Sequence, residues 1–461
     1  MADVARRRIW GWFFFDWASQ PYSTLLLTFI FAPYINQILG DGTAAQTAWG
    51  LGIGAAGVAI ALLAPALGAI ADTSGTRMRW IVAFSVLYVV GASGTWLARP
   101  DDPNLLLVLA LFGLGLIGME FATIFTNSML PDLGPREDIG RISGDGWAFG
   151  YAGGLIALLL VLAFLAEAEG GLTYLGLAPV FGLDPATGEG TRAVGPFTAV
   201  WYVVFMLPFF AWVRDPRPAA RAPGAVRRAL SDLRRTLIRV PRQRSLAAYL
   251  ASSMLYRDAL NGMYAFGGLY AAGVLGWTVG DTGIFGILAI VAGGVFAWLG
   301  GRADAAYGPK PVITVSIVVL IAVAVTVVFV SRTSVLGLAV TPGSRLPDIV
   351  FYAVGAAIGA AGGALQTASR TMMVRQADPD RMTEAFGLYA LAGKATSFVA
   401  PLSIGAVTWA TGSQQAGILP LIVLFLGGLF LLTWVKPEGG RAAPWTDDPH
   451  AARSAPVSSR D

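Results

Sequence analysis

Long apolar runs separated by short polar stretches dominate the chain, and the runs are continuous, without the every-second-residue alternation of a half-buried strand. A helix needs about 20 apolar residues to cross the hydrocarbon of a bilayer. Runs of that kind cover residues 9–38, 49–71, 80–97, 104–128, 145–166 and 197–213, then 246–275, 281–300, 311–330, 348–374, 384–410 and 416–435. The pattern predicts an all-α polytopic membrane protein of twelve spans and excludes a membrane barrel, whose strands alternate. It divides the chain into a first half (1–213), a basic linker (214–245), a second half (246–435) and a polar tail (436–461) expected to be disordered. The first and seventh runs are expected to carry polar ends or a short break, at Pro21 and Gly262.

Composition agrees: 55% of residues are hydrophobic and 13% charged, where a soluble domain has about 25% charged. Cysteine is absent and the one histidine, His450, lies in the polar tail. Disulfides, thiolate catalysis and Cys- or His-ligated metal sites are thereby excluded, so no metal and no cofactor are expected. The net charge of +4 reads as topology, with no nucleic-acid partner. The linker holds ten arginines, whereas the connections on the other face hold Arg99, Arg192, Arg332 and Arg345. The positive-inside rule then places linker and both termini in the cytoplasm, with the spans in the inner (plasma) membrane. Arg6–Arg8 resembles the start of a signal peptide, but the run that follows is too long, contains Asp16 and lacks a small-residue cleavage site, so it reads as a retained span. In the linker, Val226, Leu230, Leu233 and Leu237 recur at helical spacing among arginines. They read as an amphipathic helix on the inner leaflet, or else as a solvated basic connection.

The two halves repeat each other. "GAIADTSGTRMR" (Gly68 to Arg79) follows the second span and "GGRADAAYGPK" (Gly300 to Lys310) the eighth, with Asp72 and Asp304 232 positions apart. "FDWASQPY" lies over "RDALNGMY" at an offset of 242, matching Asp16 to Asp258, Ser19 to Asn261 and Tyr22 to Tyr264. Gly146 meets Gly387 at 241, and Asn127 meets Arg370 at 243. Similar offsets in order indicate duplicated halves.

Two six-helix halves with such a loop resemble the major facilitator superfamily. In the loop, glycine permits a tight turn and close helix approach. Asp72 can cap a helix N-terminus across the seam between halves. Arg77 and Arg79 can pair with carboxylates or headgroups, and Asp304 and Lys310 occupy the matching positions of the second copy. Such contacts would close the cytoplasmic side in one state and break in the other. "FDWASQPYSTLLL", "LPDLGPREDIGRISGDGWAFGYAGG" and "EAFGLYALAGKATSFVAP" narrow the resemblance to the unknown major facilitator family, related to the vacuolar amino-acid effluxers of fungal autophagy. The similarity runs from about Trp10 to Val435. It implies a secondary transporter of small solutes, with amino acids the leading substrate class, working by alternating access as a monomer.

In that fold spans one, four, seven and ten line the central cavity, and here they hold Asp16, Glu120, the Arg257–Asp258 pair and Arg370. Lys394 is a further charge in span eleven. Charges at membrane depth are functional candidates by default. Asp16 lies about 9 Å along its helix from Trp10, shallow enough for an exposed cytoplasmic end. Glu120 lies about 22 Å into its span. Between burial and a nearby cation it can take up and release a proton, or it can form a permanent ion pair with Lys394 or Arg257. Arg257 can hold a substrate carboxylate in bidentate fashion, and Asp258 an ammonium or a proton. Tyr22, Asn261, Tyr264 and Gln366 add hydrogen-bonding groups, or else serve helix packing. Small residues at four-residue spacing in "GWAFGYAGG" and "GAAIGAAGG" allow close helix approach. No Walker lysine follows the glycine runs, which argues against ATP-driven transport. The expected partners are a small solute, protons and lipid. Efflux of amphipathic drugs, favoured by Trp17, Tyr22, Tyr256 and Tyr264, is the rival within transport. A lipid-modifying enzyme lacks a catalytic constellation, and a sensor lacks a signalling domain.

Overall fold

The computed structural model describes residues 2–39, 42–74, 77–101, 104–168, 170–215, 231, 233–236, 238, 240–277 and 279–439. In hydrocarbon every backbone polar group has to be satisfied within its own segment, and the apolar runs are accordingly helical. Helix α1 (Ala2–Pro21) continues as a π-helical run, Tyr22–Phe29, and a short helix, Phe31–Leu39. It is followed by α2 (Gly42–Ser74), α3 (Arg77–Gly94), α4 (Leu105–Asn127), α5 (Ile139–Phe164) and α6 (Val194–Trp212). The second half comprises α7 (Arg244–Leu275), α8 (Val279–Tyr307), α9 (Pro309–Val328), α10 (Leu346–Gln376), α11 (Met382–Ala395, resuming as Val399–Thr411) and α12 (Leu419–Leu432). Among the described residues nine helical runs are long and apolar enough to cross a membrane; α1 and α7 are more polar, and the last run, Ala416–Leu432, is shorter.

The packing has the symmetry that the repeats announce. Helix α2 packs on α11 and α5 on α8, and exchanging the halves turns the first pair into the second. The same exchange carries α1–α5 to α7–α11, α1–α6 to α7–α12, α3–α4 to α9–α10 and α2–α4 to α8–α10. Both seams between halves are closed by glycine. A β-carbon on Gly68 would stand 2.6 Å from the Thr383 carbonyl oxygen, and one on Gly144 would stand 2.6 Å from Gly301 Cα. Any side chain there would push the halves apart.

The structure adds three details to the sequence reading. Helix α7 runs through Gly262 without a break, because that glycine faces Leu421 and Ala400 in close packing. Span eleven is present as read, over Pro379–Thr411, but its helix is interrupted at residues 396–398. Pro401 lacks the N–H that would bond the Ser397 carbonyl, and its ring crowds that group, so the helix restarts at Val399. Leu233 of the linker is buried on Ala69 of α2, with Ala66 and Ile70 alongside. Its neighbour Thr236 accepts a hydrogen bond from Arg381 across the α2–α11 seam (3.1 Å). Val226, Leu230, Leu237 and the tail beyond Gly439 lie outside the described residues.

Candidate functional site

The polar side chains between the halves fall into layers. Nearest the arginine-rich face is Arg370 of α10, which is 3% exposed. Its Nη1 donates to Asp16 Oδ2 of α1 (3.2 Å) and to Asn127 Oδ1 of α4 (3.1 Å). Its Nε and Nη2 donate to the Ser143 hydroxyl and carbonyl of α5 (both 3.0 Å). The rings of Trp12 and Trp147 flank the guanidinium, with centroids 4.9 and 5.2 Å from Cζ. One cation of the second half is thus held by three helices of the first. Asn127 and Arg370, matched by the repeat, touch each other and so lie near the pseudo-twofold axis. Asp16 is admitted to this layer by Gly146 and Gly150 of α5, where a β-carbon would come within 2.9 and 3.2 Å of it. It is therefore a partly buried, paired carboxylate and not an exposed helix end.

Seven residues back along α4, about 10 Å at 1.5 Å per residue, Glu120 accepts a hydrogen bond from Lys394 Nζ of α11 at 2.8 Å. The two side chains are 24% and 27% exposed, so this pair also joins the halves but is less enclosed than Arg370. Arg257 of α7 belongs to the same layer. Its guanidinium lies 4.1 Å from the centroid of the Tyr389 ring and donates to the Tyr389 carbonyl (3.1 Å). Tyr389 in turn stacks on Tyr249, whose hydroxyl donates to the Ser369 carbonyl (2.5 Å). Arg257, Asn261 and Tyr264 follow at i, i+4 and i+7, one face of α7; Asn261 and Tyr264 are exposed on it. Across from them Gln366 Nε2 donates to the Tyr151 hydroxyl of α5 (3.4 Å), which also interacts with Tyr264.

Two candidates do not join the set as read. Tyr22 is fully buried inside the first half, its hydroxyl donating to the Phe112 carbonyl (2.5 Å) beside Tyr88. Asp258 is turned away from Arg257: its Oδ2 accepts from Ala400 N (2.9 Å), capping the resumed part of span eleven. Of the loop residues, Asp72 accepts from Thr383 N (3.2 Å) and Glu384 N (2.8 Å), capping α11 across the seam. Arg77 pairs within its own half and the linker, with Asp132 (2.8 Å) and Asp215 (3.2 Å). Arg79 is exposed. Asp304 is buried against Gly140 of α5. Lys310 bonds the Val435 carbonyl (2.7 Å) just past α12, inside the second half. Trp12, Ser143, Trp147, Tyr151, Tyr249 and Tyr389 were not singled out from the sequence. Apolar or hydroxyl side chains give no periodic signal; only their neighbours' charge marks them.

A pair of six-helix bundles related by a pseudo-twofold, with charged side chains bridging the space between them, defines a transporter of the major facilitator superfamily. The proton:xylose symporter XylE matches with a TM-score of 0.70 over 96% of this chain and 98% of that one, at 12% identity. The human organic anion transporter MFSD10 (TETRAN) matches with a TM-score of 0.63 over 93% and 99%, at 15% identity. The profile of the family described as "Vacuole effluxer Atg22 like" matches residues 53–443, and the chain belongs to that family. An uncharacterized MFS-type transporter of Bacillus subtilis, YxiO, is 25% identical over 93% of this chain and 94% of its own length. Autophagy-related protein 22 of Coccidioides immitis is 25% identical over 54% of this chain, and the match spans 43% of that longer protein.

Proposed function

We propose that this chain moves a small zwitterionic solute, an amino acid in the first instance, across the inner membrane by alternating access coupled to protons. The observation that carries the reading is the Glu120–Lys394 pair: an ion pair joining the halves that keeps solvent access on both partners. A solute with both charges can compete for it, its carboxylate going to Lys394 or Arg257 and its ammonium to Glu120. Glu120 relieved of Lys394 is a carboxylate at membrane depth, and protonation is the cheap way to carry it through a closed state. The fungal relatives are autophagy proteins of an effluxer family, which supports a metabolite as cargo. The drug-efflux reading loses support, because Tyr22 and Tyr256 are buried within their own halves and Trp17 stacks on Trp201. Both termini and the linker are assigned to the cytoplasm by their arginines.

The test is uptake into proteoliposomes under an imposed pH gradient with a broad amino-acid panel. Gradient-dependent accumulation of at least one member is expected; accumulation of none would reject amino acids as the cargo.

A further inference from the structure

Among the described residues two non-glycine residues have a positive φ, Phe181 at 63° and Leu336 at 51°. Both stand at the arginine-poor face, one in each half, and both side chains are apolar and turned outward: Phe181 is 93% exposed and Leu336 58%. A bulky side chain in that region strains the backbone, and strain of this kind gathers at functional positions. From Gly170 to Leu183, between α5 and α6, the chain carries no charge; the same holds from Thr333 to Ser344, between α9 and α10. Apolar stretches of about 10–14 residues are too short to span a bilayer and suit its interface. Each connection folds back on the helix before it. Tyr174 N donates to the Leu162 carbonyl of α5 (3.1 Å), and Leu336 N to the Phe329 carbonyl just past α9 (2.9 Å). The exposed side chains of Tyr174, Leu175 and Leu338 thereby continue the outer surfaces of α5 and α9, which are themselves apolar and exposed at Phe164 and Phe329. Backbone groups are largely satisfied within each connection. Ala168 N donates to the Leu172 carbonyl (2.7 Å) and Thr173 N to the Leu177 carbonyl (2.8 Å), while Ser334–Val335 pairs with Leu338–Ala339 as a hairpin. The charges at the bases are spent on closing them. Glu167 accepts from Gly190 N (2.6 Å) and Thr191 N (2.8 Å), and Arg332 pairs with Asp348 (2.8 Å).

We propose that these connections are two membrane feet, one for each half, seated in the leaflet at the arginine-poor face. Tyr174, Leu175 and Phe181 of the first and Leu336 and Leu338 of the second enter the boundary between headgroups and acyl chains. Lipid is the occupant that the surface fits, because the apolar patch runs on without a break from the outward surfaces of two spans. The tips offer no charge with which to select a soluble partner, and an exposed apolar patch with a self-satisfied backbone is what hydrocarbon admits. Tyr174 has the ring and hydroxyl that suit the headgroup level.

The feet need neither a cargo nor a coupling ion, so the test leaves the transport reading untouched. Because the chain has no cysteine, a nitroxide can be placed on the full-length protein at Phe181→Cys, Leu336→Cys or Leu175→Cys, the last reading the first foot with Phe181 intact. The labelled protein is reconstituted in vesicles of phosphatidylcholine and phosphatidylglycerol. Spin relaxation by oxygen, which concentrates in lipid, is compared with relaxation by a water-soluble nickel chelate. Phe164→Cys supplies the lipid reference, and Ala186→Cys, in the exposed turn between Asp184 and Glu189, the water reference. All three foot labels are expected to share the oxygen-over-nickel ratio of Phe164. A ratio like that of Ala186 at Phe181 and Leu175, or at Leu336, would put that foot in water and overturn the proposal. Labels shielded from both reagents would mean that a second copy covers the patch, and would overturn it as well.

Discussion

At the scale of single residues, the Arg370–Asp16 and Lys394–Glu120 pairs between the halves differ in access to water, and that gives them different jobs. Arg370 is enclosed by Asp16, Asn127 and Ser143. Removing it leaves the partly buried Asp16 without its counter-charge, so Arg370→Ala is expected to cost up to about 3–5 kcal/mol of stability. Adding Asp16→Asn should recover much of that loss, since the stranded charge is then gone. Thermal unfolding in detergent checks both. Glu120 keeps solvent access, so Glu120→Gln is expected to leave the melting temperature within a few degrees of wild type. Gradient-driven uptake and its pH profile should nonetheless flatten; an unchanged profile would remove Glu120 from the coupling step. Charge made these residues visible in the sequence, since an ionisable group in an apolar run demands a partner. The partners themselves were not visible. Nothing in the chain near Arg370 announces that Ser143, 227 positions away, will take two of its hydrogen bonds.

At the scale of elements, the helices were legible because membrane depth and backbone satisfaction leave few alternatives, and the pattern erred where the backbone was decided by side-chain contacts. Gly262 looked like a breaker and is a packing position. The interruption before Val399 carries no glycine and is set by Pro401 four residues past Ser397. The seams make two further predictions. Gly144→Val would place methyl groups into Gly301 Cα, and overpacking of this kind costs about 1–3 kcal/mol. Because the strain falls on the closed seam, the variant should also increase reactivity of a cysteine placed at Ala297, buried at that seam. Asp72→Ala removes both acceptors for Thr383 and Glu384, a loss of about 0.5–2 kcal/mol for a cap. Asp72→Asn, with one acceptor oxygen, should fall between. Transport rates of the two variants, measured in both directions, are expected to change in that order; equal rates would mean that the cap has no part in gating.

At the scale of the whole molecule, the duplicated loop and the matching offsets foretold a twofold arrangement, and the helix pairings obey it. The symmetry holds for packing and fails for chemistry. Asp16 meets a guanidinium between the halves, whereas its repeat partner Asp258 caps a helix piece inside its own half. No alignment of one half on the other could have separated these roles, because they depend on which neighbour each carboxylate finds. A solute that bridges the halves should stabilise the assembly as a unit. A cargo present at 100 times its dissociation constant adds about 2.7 kcal/mol, so a shift in unfolding temperature across a metabolite panel, absent in Glu120→Gln, would single out the cargo.

The interruption of span eleven and the π-helical stretch of span one share a location: both lie beyond the layer of charges, toward the face that is poor in arginine. Neither has a counterpart in the other half, since α7 is unbroken and α5 is a single helix. The two mouths of the molecule are consequently built on different mechanical plans. One is shut by rigid bundles meeting along glycine, and can only part as a whole. The other is framed by two rods that each leave regular α geometry, one through a π-helical turn and one through a gap, the features at which long helices bend.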